Sequence, residues 1–100
     1  MKSTSWLINV GRGAVVEEAA LIDALQEKRI AGAMLDVYEH YRLEPGHPLL
    51  SLENAILTPH LAGMTQESRR RMGAAAAEET LRMLAGEKPT NFVNPEAWNS

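Results

Sequence analysis

The sequence predicts an α/β fold with a parallel sheet. Three short apolar runs, each bounded by turn residues, are typical of buried strands. A stretch with helical spacing joins the first run to the second, and this order predicts a right-handed parallel crossover. A longer helical stretch follows the third run. The predicted order is therefore strand, helix, strand, strand, helix.

The first strand and the first helix are predicted from adjacent segments. Residues 6–10 (WLINV) form an apolar run with β-branched members, which ends at the glycine-containing loop 11–13 (GRG). Residues 14–29 have helical spacing, with acidic residues near the start and basic residues near the end, as the helix dipole prefers. No Ser, Thr, Asp or Asn stands at the expected N-cap, which leaves the start open by one turn.

Two further strands follow the first helix. Residues 30–37 (IAGAMLDV) are almost continuously apolar, which favours a strand covered on both faces. Residues 38–53 form a loop in which residues 48–50 (PLL) make a brief turn. Residues 55–58 (AILT) form the third strand, and it stops at a proline, which cannot donate to a sheet ladder.

A long helix closes the chain. Thr65 suits its N-cap, and Gly86 suits the left-handed position after its last turn. A polar tail, 88–100, follows, with Phe92 and Val93 as candidate anchors. Four residues of the helix are predicted to form a packed stripe: Met72, Ala76, Leu81 and Leu84.

Composition excludes several classes of function. The 100 residues have 45% hydrophobic and 23% charged side chains, which indicates a globular chain. Cysteine is absent, which excludes disulfide scaffolds, metal–thiolate sites and thiol nucleophiles. A net charge of −3 argues against nucleic-acid and membrane partners. No apolar run approaches the ~18 residues that span a bilayer, and we expect a cytoplasmic protein.

Polar residues follow the end of each predicted strand. Because ligands bind beyond the carboxyl ends of parallel strands, we expect Arg12, Asp36 and His60 to converge in one crevice. Arg12 is suited to bind a carboxylate or to lie in a surface turn. Asp36 is suited to bind a ligand or to accept bonds from backbone N–H groups. His60 is suited to acid–base chemistry or to a structural hydrogen bond. We expect His40 and His47 to be solvated, and their spacing does not favour a metal site.

The same residues carry a resemblance to a known family. The motifs N-x-x-R-G, G-A-x-L-D-V and T-P-H-x-A-G, within LINVGRGAVVEEAALIDALQEKRIAGAMLDVYE and HPLLSLENAILTPHLAG, resemble the D-2-hydroxyacid dehydrogenases. The resemblance runs from residue 1 to about residue 95. It implies that residues 1–64 are the second half of a Rossmann-type, doubly wound nucleotide-binding domain, 65–86 a returning helix and 87–100 a tail. The chain then resembles a fragment, without the GxGxxG half and most of the substrate domain.

The resemblance also implies chemistry. Arg12 would hold the carboxylate of a small 2-keto or 2-hydroxy acid, and His60 would be the general acid and base. NAD or NADP would be the cofactor, with Asp36 on the nicotinamide carboxamide, in a protein that forms homo-oligomers. The implied cofactor-binding residues are Val10, Gly11, Arg12, Asp36, His60 and Gly63.

One position departs from the family pattern. A Glu-Pro pair usually follows the aspartate by five residues, and its glutamate keeps the histidine protonated. Here Tyr41 and Arg42 stand at that position. Glu44 is the favoured substitute as the third catalytic residue, Glu39 is a weaker candidate, and a site without this carboxylate stays open.

Two other functions remain open. Some members of this family are dinucleotide-sensing corepressors, so a non-catalytic module is one alternative. Half of a doubly wound sheet exposes an edge and apolar surface, so a self-associating chain, including one that exchanges its last helix, is another. We expect the isolated chain to be inactive.

Overall fold

A computed structural model describes residues 1–99; Ser100, the end of the predicted tail, lies outside the described residues. The predicted α/β class is confirmed, with a parallel sheet in the order β1-β2-β3. Contacts divide the chain into two units, residues 1–62 and the residues from Gly63 onward. The strands and α-helices are β1 (Trp6–Asn9), α1 (Glu18–Gln26), β2 (Gly32–Leu35), β3 (Ala55–Leu57) and α2 (Gln66–Leu84). Short 3₁₀ helices cover Gly13–Val15, Pro48–Ser51 and Pro95–Asn99.

One face of the sheet forms the core of the first unit. Ala33 and Leu35 of β2 point into it and pack with Leu21 and Leu25 of α1. Side chains alternate along a strand, so the flanking strands present Leu7, Ala55 and Leu57 to the same side. The buried hydrophobic cluster is Leu21, Leu25, Ile30, Ala33, Leu35 and Leu49.

The opposite face of the sheet is open. Ile8, Met34 and Ile56 lie side by side in register across the three strands. Their exposed fractions are 64%, 37% and 45%. The prediction that the second strand is covered on both faces is therefore wrong, because near-continuous apolarity does not show which faces are covered. This apolar row is called the open sheet face below.

The first helix is shorter than predicted. The predicted start, after the glycine loop, is a 3₁₀ turn over Gly13–Val15, and α1 begins only at Glu18. Its end comes before the predicted residue 29, because Lys28 adopts a left-handed conformation with φ 53°. The Arg29 N–H then donates back to the Ala24 carbonyl, a bond that closes a helix end.

The last helix has the predicted ends but not the predicted packing. The Thr65 hydroxyl accepts a bond from the Ser68 N–H at 3.0 Å, and Gly86 has φ 74° after the last turn. No residue of α2 is buried, so the packed stripe is wrong for this structure. None of the helices within residues 1–99 is long and apolar enough to cross a membrane. The exposed stripe residues are Met72, Ala76, Leu81 and Leu84.

The tail is attached to α2 mainly by polar contacts. The Glu79 carboxylate accepts bonds from the Thr90 hydroxyl, from the Thr90 N–H at 2.9 Å and from Asn91 Nδ2 at 3.1 Å. These bonds, led by the Thr90 hydroxyl, lower the pKa of Glu79. Of the two predicted anchors, Phe92 is partly buried and Val93 is 97% exposed, so Val93 is not an anchor.

A close backbone contact joins the two loops that follow β1 and β2. A Cβ atom on Gly13 would lie 1.8 Å from the Tyr38 carbonyl oxygen and 2.6 Å from the Glu39 nitrogen. Real atoms do not approach so closely, so only glycine allows this contact. The contact holds the arginine loop against the loop after β2.

We expect Gly13→Ala to destabilise the chain by about 3 kcal/mol, because the added methyl group must separate two backbone segments. Gly11→Ala is the matched control, since its Cβ would meet its nearest neighbour, Asn9 Oδ1, at an ordinary 3.6 Å. Urea unfolding of both variants measures the difference. Equal stability of the two variants would contradict the contact.

Candidate active site

An open cavity of about 920 Å³ lies where the three strands end. The structure brings Arg12, Asp36 and His60 together on its wall, as the strand-end argument predicts. Its walls come from the loops after β1, β2 and β3, from the last residue of β3 and from one residue of the 48–51 turn. The lining residues are Arg12, Gly13, Ala14, Asp36, Val37, Tyr38, Glu39, Tyr41, Arg42, Leu43, Leu50, Leu57, Thr58, Pro59 and His60.

The Asp36 carboxylate organises the loop after β3. The side chain is almost fully buried, with 2% of the residue exposed. Its Oδ1 accepts bonds from the Thr58 hydroxyl at 2.5 Å and from the Leu61 N–H at 2.7 Å. Its Oδ2 accepts a bond from the Ala62 N–H at 2.8 Å. Of the two interpretations of Asp36, acceptance of backbone N–H bonds is therefore observed.

These bonds also set the charge state of Asp36. The Thr58 hydroxyl contributes most to a pKa that lies below its ordinary value of 3.8. Burial acts in the opposite direction, but the N–H groups of Ala62 and Leu61 and the nearby His60 add to the lowering. Asp36 is therefore a carboxylate at neutral pH.

His60 occupies an unusual backbone conformation within the loop held by Asp36. Its φ is 60°, in the left-handed region, where histidine is more frequent than most residues other than glycine. The next two N–H groups, of Leu61 and Ala62, are the ones that Asp36 binds. The imidazole is exposed and lines the cavity. Asp36 thus holds the backbone while the ring remains free to meet a ligand.

Asn9 holds the arginine loop in a comparable way, and sequence reasoning did not assign it a role. It is buried at the end of β1, with 6% exposed. Its Nδ2 donates to the Arg12 carbonyl at 2.9 Å, and its Oδ1 accepts from the Gly11 N–H at 3.1 Å. The available signal was an asparagine inside an apolar strand, where a polar side chain needs partners. Arg12 itself is exposed and donates to the Gly11 carbonyl at 2.8 Å.

Tyr38 ties the ends of β2 and β3 together. Its hydroxyl donates to the Thr58 carbonyl at 2.8 Å. Burial, assisted by the negative charge of Asp36, raises the pKa of Tyr38. The hydroxyl therefore stays a donor at neutral pH, and it adds a second connection between the aspartate and histidine loops.

His47 is not solvated, contrary to the prediction. Its Nε2 lies 3.2 Å from Glu18 Oε1, and its Nδ1 accepts a bond from the Leu49 N–H. The other Glu18 oxygen accepts the Glu39 N–H at 3.1 Å. Glu18, which is 9% exposed, therefore holds the loop that runs along the cavity at two points, Glu39 and His47.

The remaining predicted site residues are distributed less tightly. Glu44 is exposed and is not a lining residue, whereas Glu39 lines the cavity. Val10 and Gly11 are exposed just before Arg12, and Gly63 belongs to the second unit. Within residues 1–99, no three His, Asp or Glu side chains are grouped as metal ligands.

We expect Asp36→Asn to destabilise the chain at neutral pH, because an amide cannot accept all three bonds. A carboxyl whose folded pKa is lowered stabilises the fold above its unfolded pKa, and this contribution is lost as the pH falls through the folded pKa. The difference in stability between wild type and variant should therefore shrink as the pH falls below about 4. Urea unfolding across this range measures it, with Asp23→Asn on the exposed side of α1 as the control. A difference that does not change with pH would contradict the assigned charge.

The chain matches one protein family and is similar to several curated proteins. Residues 1–62 match the family model of the D-isomer specific 2-hydroxyacid dehydrogenase NAD binding domain. A glyoxylate reductase of Thermofilum pendens is 49% identical over 96 residues, which are 96% of this chain and 28% of that protein. A glyoxylate/hydroxypyruvate reductase B of Klebsiella pneumoniae is 47% identical over 96 residues, again 96% of this chain and 30% of the relative.

Solved structures give the same result. A protein of Thermus thermophilus superposes with a TM-score of 0.83 at 43% identity, covering 93% of this chain and 30% of that one. An NADPH-dependent glyoxylate/hydroxypyruvate reductase of Sinorhizobium meliloti, crystallised with NADP and malonate, gives 0.82 at 38% identity, covering 93% and 29%.

The chain spans less than one third of the length of these relatives. Its match to the family model nevertheless covers 62 of its 100 residues, and the fold and motifs agree with it. The chain belongs to the NAD-binding domain family of the D-isomer specific 2-hydroxyacid dehydrogenases.

Proposed function

We propose that this chain is part of an oxidoreductase that transfers a hydride between NAD or NADP and a small 2-oxo or 2-hydroxy acid. The observation that carries the proposal is the placement of Arg12, Asp36 and His60 on one cavity at the strand ends. The names of the similar proteins, glyoxylate and hydroxypyruvate reductases, favour small 2-oxo acids as substrates.

Arg12 is the proposed ligand of the substrate carboxylate. Its guanidinium donates to the Gly11 carbonyl and, within residues 1–99, has no carboxylate partner. A guanidinium has five N–H donors, so most of them remain for an anion. Two parallel bonds to a carboxylate would orient the neighbouring carbonyl carbon of a 2-oxo acid.

His60 is the proposed general acid. Reduction of a 2-oxo acid leaves negative charge on the former carbonyl oxygen, and an imidazolium in the cavity would donate the proton that this oxygen needs. In the oxidation of a 2-hydroxy acid, the neutral imidazole would accept the hydroxyl proton. The bonds from Asp36 to the following N–H groups keep the histidine backbone in place for both directions.

Glu39 is the proposed carboxylate partner of His60, ahead of Glu44. Each is a candidate to replace the glutamate that the family pattern has at the position of Tyr41. Glu39 lines the same cavity as His60, whereas Glu44 does not. A negative charge near an imidazolium favours its protonated form.

The residues present fit a nicotinamide cofactor. Asp36 lines the cavity and accepts three bonds, which leaves one acceptor site of a carboxylate for the carboxamide. Val37 and Leu57 give the cavity apolar surface for a ring. Val10 and Gly11 are the other proposed contacts within residues 1–62, and the contact of Gly63 stays a prediction. A bound NAD or NADP supplies or accepts the hydride.

The direct test is His60→Gln in the natural protein at its full length, assayed with NADH, NADPH, glyoxylate and hydroxypyruvate. We expect kcat to fall by about 10²- to 10⁴-fold, because a general acid is lost. His40→Gln is the matched control, since His40 is exposed and is not a lining residue. Unchanged turnover in the His60 variant, or no turnover in the wild type, would refute the proposal.

The carboxylate assignment is tested by comparing Glu39→Gln with Glu44→Gln. Reductase activity falls on the alkaline side when the general acid loses its proton. We expect the alkaline limb of the pH profile of kcat to move by about one pH unit toward lower pH in Glu39→Gln, and to stay in place in Glu44→Gln. A shift in the Glu44 variant alone would assign the role to Glu44.

A second candidate function is self-association, which the open sheet face favours. Ile8, Met34 and Ile56 form an exposed apolar row, and β1 and β3 each have one unpaired edge. We also propose that the natural protein forms homo-oligomers. Sedimentation of the chain at micromolar concentration should show dimers or larger species, and Met34→Thr should weaken them. A monomer in the wild type would refute this function.

A further inference from the structure

We propose that Arg42 makes this site selective for 2-oxo acids that carry a second anionic group at the end remote from the oxo acid. The inference rests on the proposed function, because it takes Arg12 as the ligand of the first carboxylate. It names the substrate class more narrowly than that function does.

Arg42 lies in a loop that is attached to the domain at several points. Before it, the Glu39 N–H donates to buried Glu18 at 3.1 Å. Directly after it, Leu43 packs against the hydrophobic core. Further on, His47 bonds the same glutamate through Nε2 at 3.2 Å. A short segment with these attachments has a defined path, so the arginine is presented at a defined place on the cavity wall.

The guanidinium of Arg42 is available for a ligand. It lies over the ring of Tyr41, with 6.0 Å between the guanidinium carbon and the ring centroid. Within residues 1–99, no carboxylate is paired with it. Stacking on a ring leaves the in-plane N–H donors of arginine available for an oxyanion. This pair stands where the family pattern has Glu-Pro, so it departs from that pattern.

Arg12 and Arg42 face one cavity because their loops touch. The glycine after Arg12 packs directly on the backbone of Tyr38, at the start of the loop that carries Arg42. Arg12 and Arg42 therefore line the same cavity of about 920 Å³, which is within the range of small-molecule sites.

The pairing of charged groups on the cavity wall leaves Arg42 without a carboxylate partner in the part of the chain that the structure describes. Two carboxylates line the cavity, and one of them, Asp36, accepts bonds from three donors of the loop after β3. The other, Glu39, is the proposed partner of His60. Arg12 would be neutralised by the acid group next to the oxo carbon. Arg42 would remain without a counter-ion unless the substrate supplies one.

The test compares two acids of the same length on the chain itself. 2-Oxoglutarate has a carboxylate at its far end, and 2-oxopentanoate has a methyl group there. We expect 2-oxoglutarate to bind about tenfold more tightly, as one added charge-assisted interaction permits. Chemical-shift titration of isotope-labelled protein measures both dissociation constants without any hydride transfer. The phosphate ester of 3-hydroxy-2-oxopropanoate, as a third probe, shows whether phosphate is preferred to carboxylate.

Variants distinguish the effect of Arg42 on this preference from a general effect of net charge. Arg42→Gln should bring the two acids close to equal affinity, and Arg42→Lys should keep part of the preference. Arg29→Gln makes the same change of charge at a surface residue, paired with Glu27 at 2.7 Å, and should leave the ratio unchanged. Raising the ionic strength should reduce the preference for 2-oxoglutarate, because salt screens the attraction between the exposed Arg42 and the far carboxylate.

The proposal is overturned if both acids bind the wild type equally, if the preference survives in Arg42→Gln, or if neither acid binds. Failure of the proposed function has a different signature. In that case the natural protein turns over neither acid with NADH or NADPH. The chain still binds 2-oxoglutarate more tightly than 2-oxopentanoate, and this preference is still lost in Arg42→Gln.

Discussion

The buried carboxylate of Asp36 is the interaction on which the candidate site depends. It accepts bonds from Thr58, Leu61 and Ala62, and it lies at the end of β2. A carboxylate in this position is costly to bury unless donors surround it, so the loop after β3 must curl around it. That curl places His60 at positive φ on the cavity wall. Removal of the charge would release the histidine loop.

The other two loops are held by backbone contacts rather than by ion pairs alone. Asn9 bonds the backbone on both sides of the arginine turn, and Gly13 lets that turn lie directly on the next loop. Glu18 and His47 hold the loop after β2 from the side of α1. Two of these attachments use a buried polar side chain, Asn9 at the end of β1 and Glu18 at the start of α1. The cavity wall is therefore attached to β1 and α1, and the exposed residues Arg12 and Arg42 line it.

The sequence predicts the parallel sheet, the ends of α2 and the meeting of three strand ends, because these follow from local patterns and from the handedness of crossovers. It did not predict contacts between distant loops. Nothing local distinguishes a solvated His47 from one paired with Glu18, which lies far away in the sequence. The early end of α1 depends on a left-handed lysine, where the pattern offered no glycine. Apolar runs did not show that the open sheet face and the stripe on α2 are exposed.

The most direct measurement is an NMR titration that follows the side-chain carboxyl carbon of Asp36 together with the amide protons of Leu61 and Ala62. The account predicts that all three change together, with a midpoint below the ordinary value of 3.8, as the carboxylate is protonated and its N–H bonds are lost. An Asp36 carboxyl that titrates at its ordinary value, with the two amides unaffected, would contradict the claim that this carboxylate holds the histidine loop.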